Sequence, residues 1–250
     1  SSPTVRTMVS GSGFSYEGYP LSSVFSIPFL GLTNEGMPRF YNERGVETLG
    51  DFNFSSSNID FLKYSGTLDP TDVGTLTNTF RYKNFTLSAN INYEFGAVTR
   101  LRSISNTDDY SAFPRELTQR WKKPGDEAHT DIPRIPTSYA FDQYGADNLI
   151  NGFYAYSAST ARIVSTDLVR LKEISMEYTV SKTLLRRTPL KNLAVKLQAQ
   201  NLMLLYSDAR LRGDDPAYMY SSSVTAPKKL ILTPVSYTHL RAHETRHDLV

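Results

Sequence analysis

The chain has 250 residues and a formal net charge of +2, so its charge indicates no nucleic acid or other polyanion as a partner. Cysteine is absent, which excludes disulfide bonds and thiolate metal sites, and no apolar run is long enough for a membrane-spanning helix. Tyrosine (16) and phenylalanine (13) far outnumber tryptophan (1), a bias typical of β-structure and of aromatic belts at membrane interfaces.

The first predicted strand lies near residues 3–9. The segment 11–74 that follows is rich in Gly, Pro, Ser, Asn and Tyr, and we interpret it as a long loop with small hairpins of its own, such as one over residues 23–29. Two strands come next, near 75–83 and 85–101, and the turn Lys83-Asn84 joins them in a tight hairpin.

The stretch from Phe85 to Phe95 alternates apolar and polar residues without exception. A helix would spread these apolar groups around its circumference, so the pattern predicts a strand. A strand in a soluble domain usually runs about 5–6 residues, whereas a tilted strand that crosses a bilayer needs about 9–11. An apolar side that ends in aromatic residues suits lipid, and a side of hydroxyl, amide and carboxylate groups suits a wet interior.

Long and short connections alternate along the rest of the chain. A second long loop, 103–163, leads to predicted strands near 164–181 and 192–205, and a short basic turn joins these two strands. The cations of the turn are Lys182, Arg186, Arg187 and Lys191. A third loop, 206–227, leads to a last strand near 228–234.

This asymmetry is typical of outer-membrane barrels, which have long external loops and short periplasmic turns. We therefore predict an all-β fold: an antiparallel, up-and-down transmembrane β-barrel fragment that forms an open curved sheet with long external loops. The basic turn and Lys83-Asn84 should lie at one end of the sheet and the long loops at the other.

The alternation also predicts which residues face lipid and which face the lumen. The predicted lipid-facing residues are Phe85, Leu87, Ile91, Tyr93, Ile174, Met176, Tyr178, Leu193, Val195 and Leu197. The predicted lumen-facing residues are Glu94, Glu173, Glu177, Lys196, Gln198 and Gln200, which would bond to water or to protein inside the barrel, or contact substrate. A soluble β-sandwich that binds a glycan would show the same alternation, so this alternative stays open.

Six segments carry a family resemblance. They are 16–21, 64–70 leading into 78–88, 120–126, 168–178, 200–202 and 213–216. In this order they resemble motifs of the SusC/RagA-type TonB-dependent transporters of Gram-negative, Bacteroidetes-like bacteria, and the similarity extends over roughly residues 14–233.

The resemblance implies a barrel of about 22 strands around a plug domain, in the cell outer membrane and in contact with its lipid. It also implies active import of a large nutrient, an oligosaccharide or a peptide, together with a SusD-like surface lipoprotein. The energy would come from a TonB–ExbB–ExbD complex that contacts parts of the protein not found in this sequence. Residues 1–234 correspond to the C-terminal part of the barrel, and no signal peptide is visible, so we expect a fragment. A transporter of this kind is no enzyme and needs no cofactor.

The tail, residues 235–250, breaks this pattern. It contains His243-Glu244-Thr245-Arg246-His247, a formal match to the zinc-binding helix of metalloproteases, which makes a zinc hydrolase a further alternative. The tail also resembles translated adapter or vector read-through, so we expect a non-native, irregular segment.

The loops hold further candidate residues. Tyr139, Tyr144, Tyr154 and Tyr156 would contact a ligand or the lipoprotein, or would pack within the loop. The pairs Asp108-Asp109 and Asp214-Asp215 would bind calcium or sugar, or would cap turns.

Overall fold

The computed structural model describes residues 2–11, 13–101, 115–188, 190–211, 213–219 and 226–237. It divides into two compact units, which we call the loop unit and the sheet unit. The loop unit comprises Ser1–Asp72, Glu94–Asp167 and Asp208–Gly213, and the sheet unit comprises Val73–Tyr93, Leu168–Ser207 and Asp214–Val250. None of the helices in the described ranges is long and apolar enough to cross a membrane.

The chain is built mainly from β-strands. In chain order these are β1 (Ser23–Ser26), β2 (Phe29–Leu32), β3 (Pro38–Tyr41), β4 (Glu47–Thr48), β5 (Lys63–Thr67), β6 (Asp72–Tyr82), β7 (Phe85–Phe95), β8 (Val98–Arg100), β9 (Ile163–Ser165), β10 (Leu168–Thr179), β11 (Asn192–Ser207) and β12 (Lys229–Tyr237). The α-helices are α1 (Val5–Met8), α2 (Ser138–Tyr144), α3 (Ala146–Ser157) and α4 (Lys182–Leu185), and short 3-10 helices occur in the connections between elements.

The sheet unit contains one five-stranded sheet in the order β12-β11-β10-β7-β6. Neighbouring strands in the sheet follow one another within the unit, and β11 pairs antiparallel with both β10 and β12. The strands run from 9 residues in β12 to 16 in β11, well above the length of about 5–6 that is usual in soluble domains. The predicted all-β, antiparallel up-and-down fold is confirmed.

The two short connections of the sheet lie at the same end. The backbone N–H of Thr179, the last residue of β10, donates to the carbonyl of Asn84 at 2.9 Å. Thr179 leads directly into the basic segment 182–191, so that segment and the Lys83-Asn84 turn are close together, as predicted.

The last strand is longer than predicted. It continues through Pro234 to Tyr237, so residues 235–237 extend the strand instead of starting the tail. Residues 238–250, which include the motif from His243 to His247, lie outside the described residues.

The predicted strand near residues 3–9 is wrong, because α1 forms there in the loop unit. Thr4 caps this helix: its hydroxyl accepts a hydrogen bond from the N–H of Thr7, and the side chain of Thr7 bonds back to the backbone of Thr4. The helix α1 places Val5, and the following Val9, in a buried cluster with Ile27 and other apolar residues. Burial of these side chains stabilises a helix that is too short to form alone.

The predicted strands 85–101 and 164–181 are each interrupted. Gly96 has φ of 87°, a left-handed conformation that ends β7, and its N–H donates to Asp167 Oδ1 at 2.7 Å. Beyond this break, β8 and β9 form a separate antiparallel pair in the loop unit.

The predicted hairpin over residues 23–29 is also wrong. The strand β1 pairs with β5, while β2 pairs with β3. Between them, Ile27 uses its own N–H and C=O to bond the carbonyl of Ala158 and the N–H of Thr160, at 3.1 and 3.0 Å. This distant segment takes the hydrogen bonds that a local hairpin would need.

Candidate functional site

One face of the sheet unit is apolar across several strands. Met176 on β10 lies opposite Leu197 on β11, which lies opposite Leu232 on β12. Residues directly opposed in an antiparallel pair are on the same face, so the apolar face continues over these strands. The rings of Phe85 and Tyr178, with centroids 4.7 Å apart, extend it to β7.

This apolar face is more exposed than the polar one. The exposed fraction is 45% for Met176 and 67% for Leu232, whereas Ser175, on the other face, is only 7% exposed. The core clusters found among the described residues contain no residue of the apolar face. A soluble sheet buries its apolar face and leaves its polar face in water, so the burial seen here is reversed.

The polar face carries the predicted lumen-facing residues. Glu173 accepts hydrogen bonds from the Nε2 atoms of Gln198 and Gln200, each at 3.0 Å. Glu177 lies opposite Lys196, which places a carboxylate and an ammonium group on neighbouring strands of the same face. The structure therefore brings together the candidates on β10 and β11.

The remaining candidate of this set, Glu94, lies on β7. It belongs to the same alternating series as Asn92, whose Oδ1 accepts a hydrogen bond from the hydroxyl of Thr75 at 3.2 Å. Polar groups of β6 and β7 are thus also joined across the strands.

A bulge in β11 lies at the 200–202 segment of the family resemblance. Leu171 pairs with Met203 and Glu173 pairs with Gln200, so β11 holds one more residue than β10 over this stretch. Asn201 adopts φ of 55° there, in the left-handed region that asparagine tolerates better than most residues. The bulge therefore gives the middle residue of the motif, Asn201, a role in the backbone conformation.

Sequence reasoning missed an ion pair that anchors segment 213–216 to β10. Arg170 Nη2 lies 2.5 Å from Asp215 Oδ1, and the side chains are only 20% and 11% exposed. The same oxygen accepts a hydrogen bond from the N–H of Ala217, which makes Asp215 the N-cap of the 3-10 helix Pro216–Tyr218. The turn-capping interpretation is confirmed for Asp215, while Asp108-Asp109 lie outside the described residues.

Within the described ranges no three His, Asp or Glu side chains are grouped to hold a metal ion.

The four candidate tyrosines of the loop unit have different environments. Tyr139 and Tyr154 are 71% and 37% exposed. Tyr144 donates a hydrogen bond to the carboxylate of Glu35, which raises the pKa of Tyr144 to about 12. Tyr156 is 1% exposed, and burial raises the pKa of its hydroxyl to about 12. Tyr156 thus packs in the core cluster, in agreement with the packing alternative, while ligand or lid contacts of the other three tyrosines stay predictions.

A buried ion pair beside Tyr156 was also missed. Arg162 is 2% exposed, and its Nη1 and Nη2 atoms donate to the two carboxylate oxygens of Glu116 at 2.8 and 2.7 Å. The guanidinium carbon lies 5.5 Å from the centre of the Tyr156 ring. Glu116 and Arg162 are 46 positions apart in the chain and belong to no repeating pattern, so the sequence alone does not reveal their pairing.

Trp121 has a structural role, because its side chain contacts several residues of the loop unit. Its indole Nε1 donates to Glu127 at 3.0 Å, and Arg134 lies 5.7 Å from the ring centre. The backbone of Gly36 packs against the indole ring, since a Cβ atom at this position would come within 2.4 Å of an indole carbon.

No known family matches the chain by sequence, and no curated protein matches it either. Solved structures do match. The RagAB peptide importer in its closed-closed state is 18% identical over 87% of this chain and 23% of that chain, with a TM-score of 0.59. The RagAB peptide transporter gives 18% identity, coverage of 79% and 20%, and a TM-score of 0.55. The importer in its open-open state gives 19% identity, coverage of 76% and 19%, and a TM-score of 0.51.

The chain spans about a fifth of the length of these RagAB chains. At this level of identity the similarity shows the fold. That fold is SusC/RagA-like, as the resemblance in sequence implied.

Proposed function

We propose that the chain is part of an outer-membrane transporter that actively imports a large nutrient, an oligosaccharide or a peptide. It would be energised through TonB–ExbB–ExbD and would work with a SusD-like surface lipoprotein. The observation that carries the proposal is the reversed burial of the sheet unit, in which Met176 and Leu232 are far more exposed than Ser175.

A bilayer gives this arrangement a physical reason. Apolar side chains exposed to water would cost about 25 cal/mol per Å² of apolar surface, and lipid removes that penalty. The polar face would then line a wet or protein-filled interior, where Glu173 keeps its hydrogen bonds from Gln198 and Gln200 and the charges of Glu177 and Lys196 are hydrated. The similar solved structures are named as peptide importers, so a peptide is the first substrate class to test.

The two alternatives have weaker support. A soluble β-sandwich needs a second sheet against the apolar face, and the described residues of the sheet unit form one sheet. A zinc hydrolase rests on residues 243–247, outside the described ranges.

Deletion of the complete gene in its native host tests the proposal. Uptake of labelled peptides or oligosaccharides should fall, and a strain without TonB should lose the same uptake. The protein should fractionate with the outer membrane. Recovery of the full-length protein in the soluble fraction, or unchanged uptake of every substrate class, would contradict the proposal.

Cysteine labelling tests the orientation. Residues 1–250 contain no cysteine, and any cysteine elsewhere in the complete protein is first replaced by serine, so that each single substitution gives the only signal. In whole cells, an impermeant reagent should label Tyr139→Cys in the complete protein and leave Lys83→Cys unlabelled. Labelling of Lys83→Cys alone would invert the topology.

A further inference from the structure

A cleft lined by cations lies at the short-turn end of the sheet unit. It has a volume of about 460 Å³ and is formed by α4 and the segment that leads into β11. The residues that line it are Lys182, Leu185, Arg186, Thr188, Leu190, Lys191 and Asn192. Three of these side chains are cationic and none is acidic, so the cleft favours an anion.

The surroundings of the cleft add apolar groups. Leu184, between two of the cations in sequence, is 67% exposed, and Leu185 supplies an apolar wall. At a membrane surface an exposed leucine can enter the acyl region while neighbouring cations reach the headgroups. A site for a free, fully hydrated anion has no need of this leucine.

The apolar face ends in aromatic rings at the same end of the sheet. Phe85 and Tyr178 contact each other there, and Tyr82, at the end of β6, is 70% exposed. The ammonium group of Lys83 lies 5.3 Å from the Tyr82 ring centre. Apolar surface, then aromatic rings, then cations is the order of groups from the core of a bilayer to its headgroups.

We propose that the cleft binds the phosphate headgroup of an anionic phospholipid in the leaflet at this end of the barrel. Lys182, Arg186 and Lys191 would contact the phosphate, and Leu184 would enter the acyl region beside it. The long stems of the lysines allow their charges to reach the headgroup level while the stems stay on apolar surface. The inference rests on the proposed function, since it requires that the sheet spans a membrane.

Lipid titration of the purified full-length transporter tests the proposal. The probe is short-chain phosphatidylglycerol, with inorganic phosphate and short-chain phosphatidylcholine as separate arms, and binding is counted by native mass spectrometry. The variant is Lys182→Gln/Arg186→Gln/Lys191→Gln. The control is Lys63→Gln/Lys122→Gln/Lys123→Gln, which removes the same charge from exposed positions of the loop unit.

We expect the cleft variant to bind phosphatidylglycerol roughly 100-fold more weakly, from about 1 kcal/mol for each cation near a lipid surface. The control and the charge-preserving Lys182→Arg/Arg186→Lys/Lys191→Arg should bind like the unchanged protein. Equal binding by the cleft variant, or complete competition by inorganic phosphate at the same concentration, would overturn the proposal. Insertion into vesicles is measured separately, so failure to insert counts against the proposed function and unchanged lipid binding counts against this inference.

Discussion

Two adjacent substitutions test the face assignment of β7. Ile91→Arg places a cation on the apolar face, and Asn90→Arg places it on the polar face. The strand has 11 residues, and at about 3.3 Å per residue and a tilt of about 40° it spans about 28 Å, close to the hydrocarbon thickness of about 30 Å. Ile91 is near the middle, where arginine facing lipid costs about 2–4 kcal/mol. Asn90 Oδ1 is buried and has no hydrogen-bond partner among the described residues, so Asn90→Arg loses no hydrogen bond at that atom.

The expected loss for Ile91→Arg corresponds to a decrease of about 30- to 1,000-fold in the ratio of folded to unfolded protein. The assay is urea-dependent refolding of the full-length protein in lipid vesicles, followed by the gel mobility of the folded form. The urea midpoint should fall clearly for Ile91→Arg and little for Asn90→Arg. Equal midpoints would show that the alternation in β7 does not mark a membrane face.

Substitutions at three further positions test contacts and backbone conformations that stabilise the protein. Arg162→Ala removes the buried partner of the largely buried Glu116 carboxylate and should lower the free energy of unfolding by about 3–5 kcal/mol. Chemical denaturation of the full-length protein measures this loss, and a loss under about 1 kcal/mol would contradict it. Asn201→Ala should be less stable than Asn201→Gly by about 1–2 kcal/mol in the same assay, because only glycine adopts positive φ freely; the reverse order would argue against the bulge. The pKa of Tyr144 is about 12 when folded, against about 10 when unfolded, so the stability gained from its bond to Glu35 is complete below pH 10 and is lost as the pH rises to 12. Tyr144→Phe should flatten that part of the pH dependence, and identical pH profiles would refute this role.

The sheet was predictable because its signal is local. Alternation along β10 and β11 predicts which side chains share a face, and Met176 and Leu197, predicted to share one, are directly opposed in the structure. The strand ends were less predictable: β7 stops at Phe95 because of the conformation of Gly96, and an apolar pattern that continues past a glycine hides such a break.

The loop unit was less predictable, for two different physical reasons. Its long-range contacts, such as the hydrogen bonds of Ile27 with a segment over a hundred residues later and the pair of Glu116 with Arg162, depend on the folded arrangement and leave no periodic trace. The helix α3, by contrast, has a periodic pattern in the sequence, because Leu149, Phe153 and Tyr156 are buried at the spacing of one helical face. This helix lies in a segment that was interpreted as a loop from its composition. Composition describes what a segment contains, whereas spacing describes which side chains can be buried together, so spacing is the stronger signal even inside a long connection.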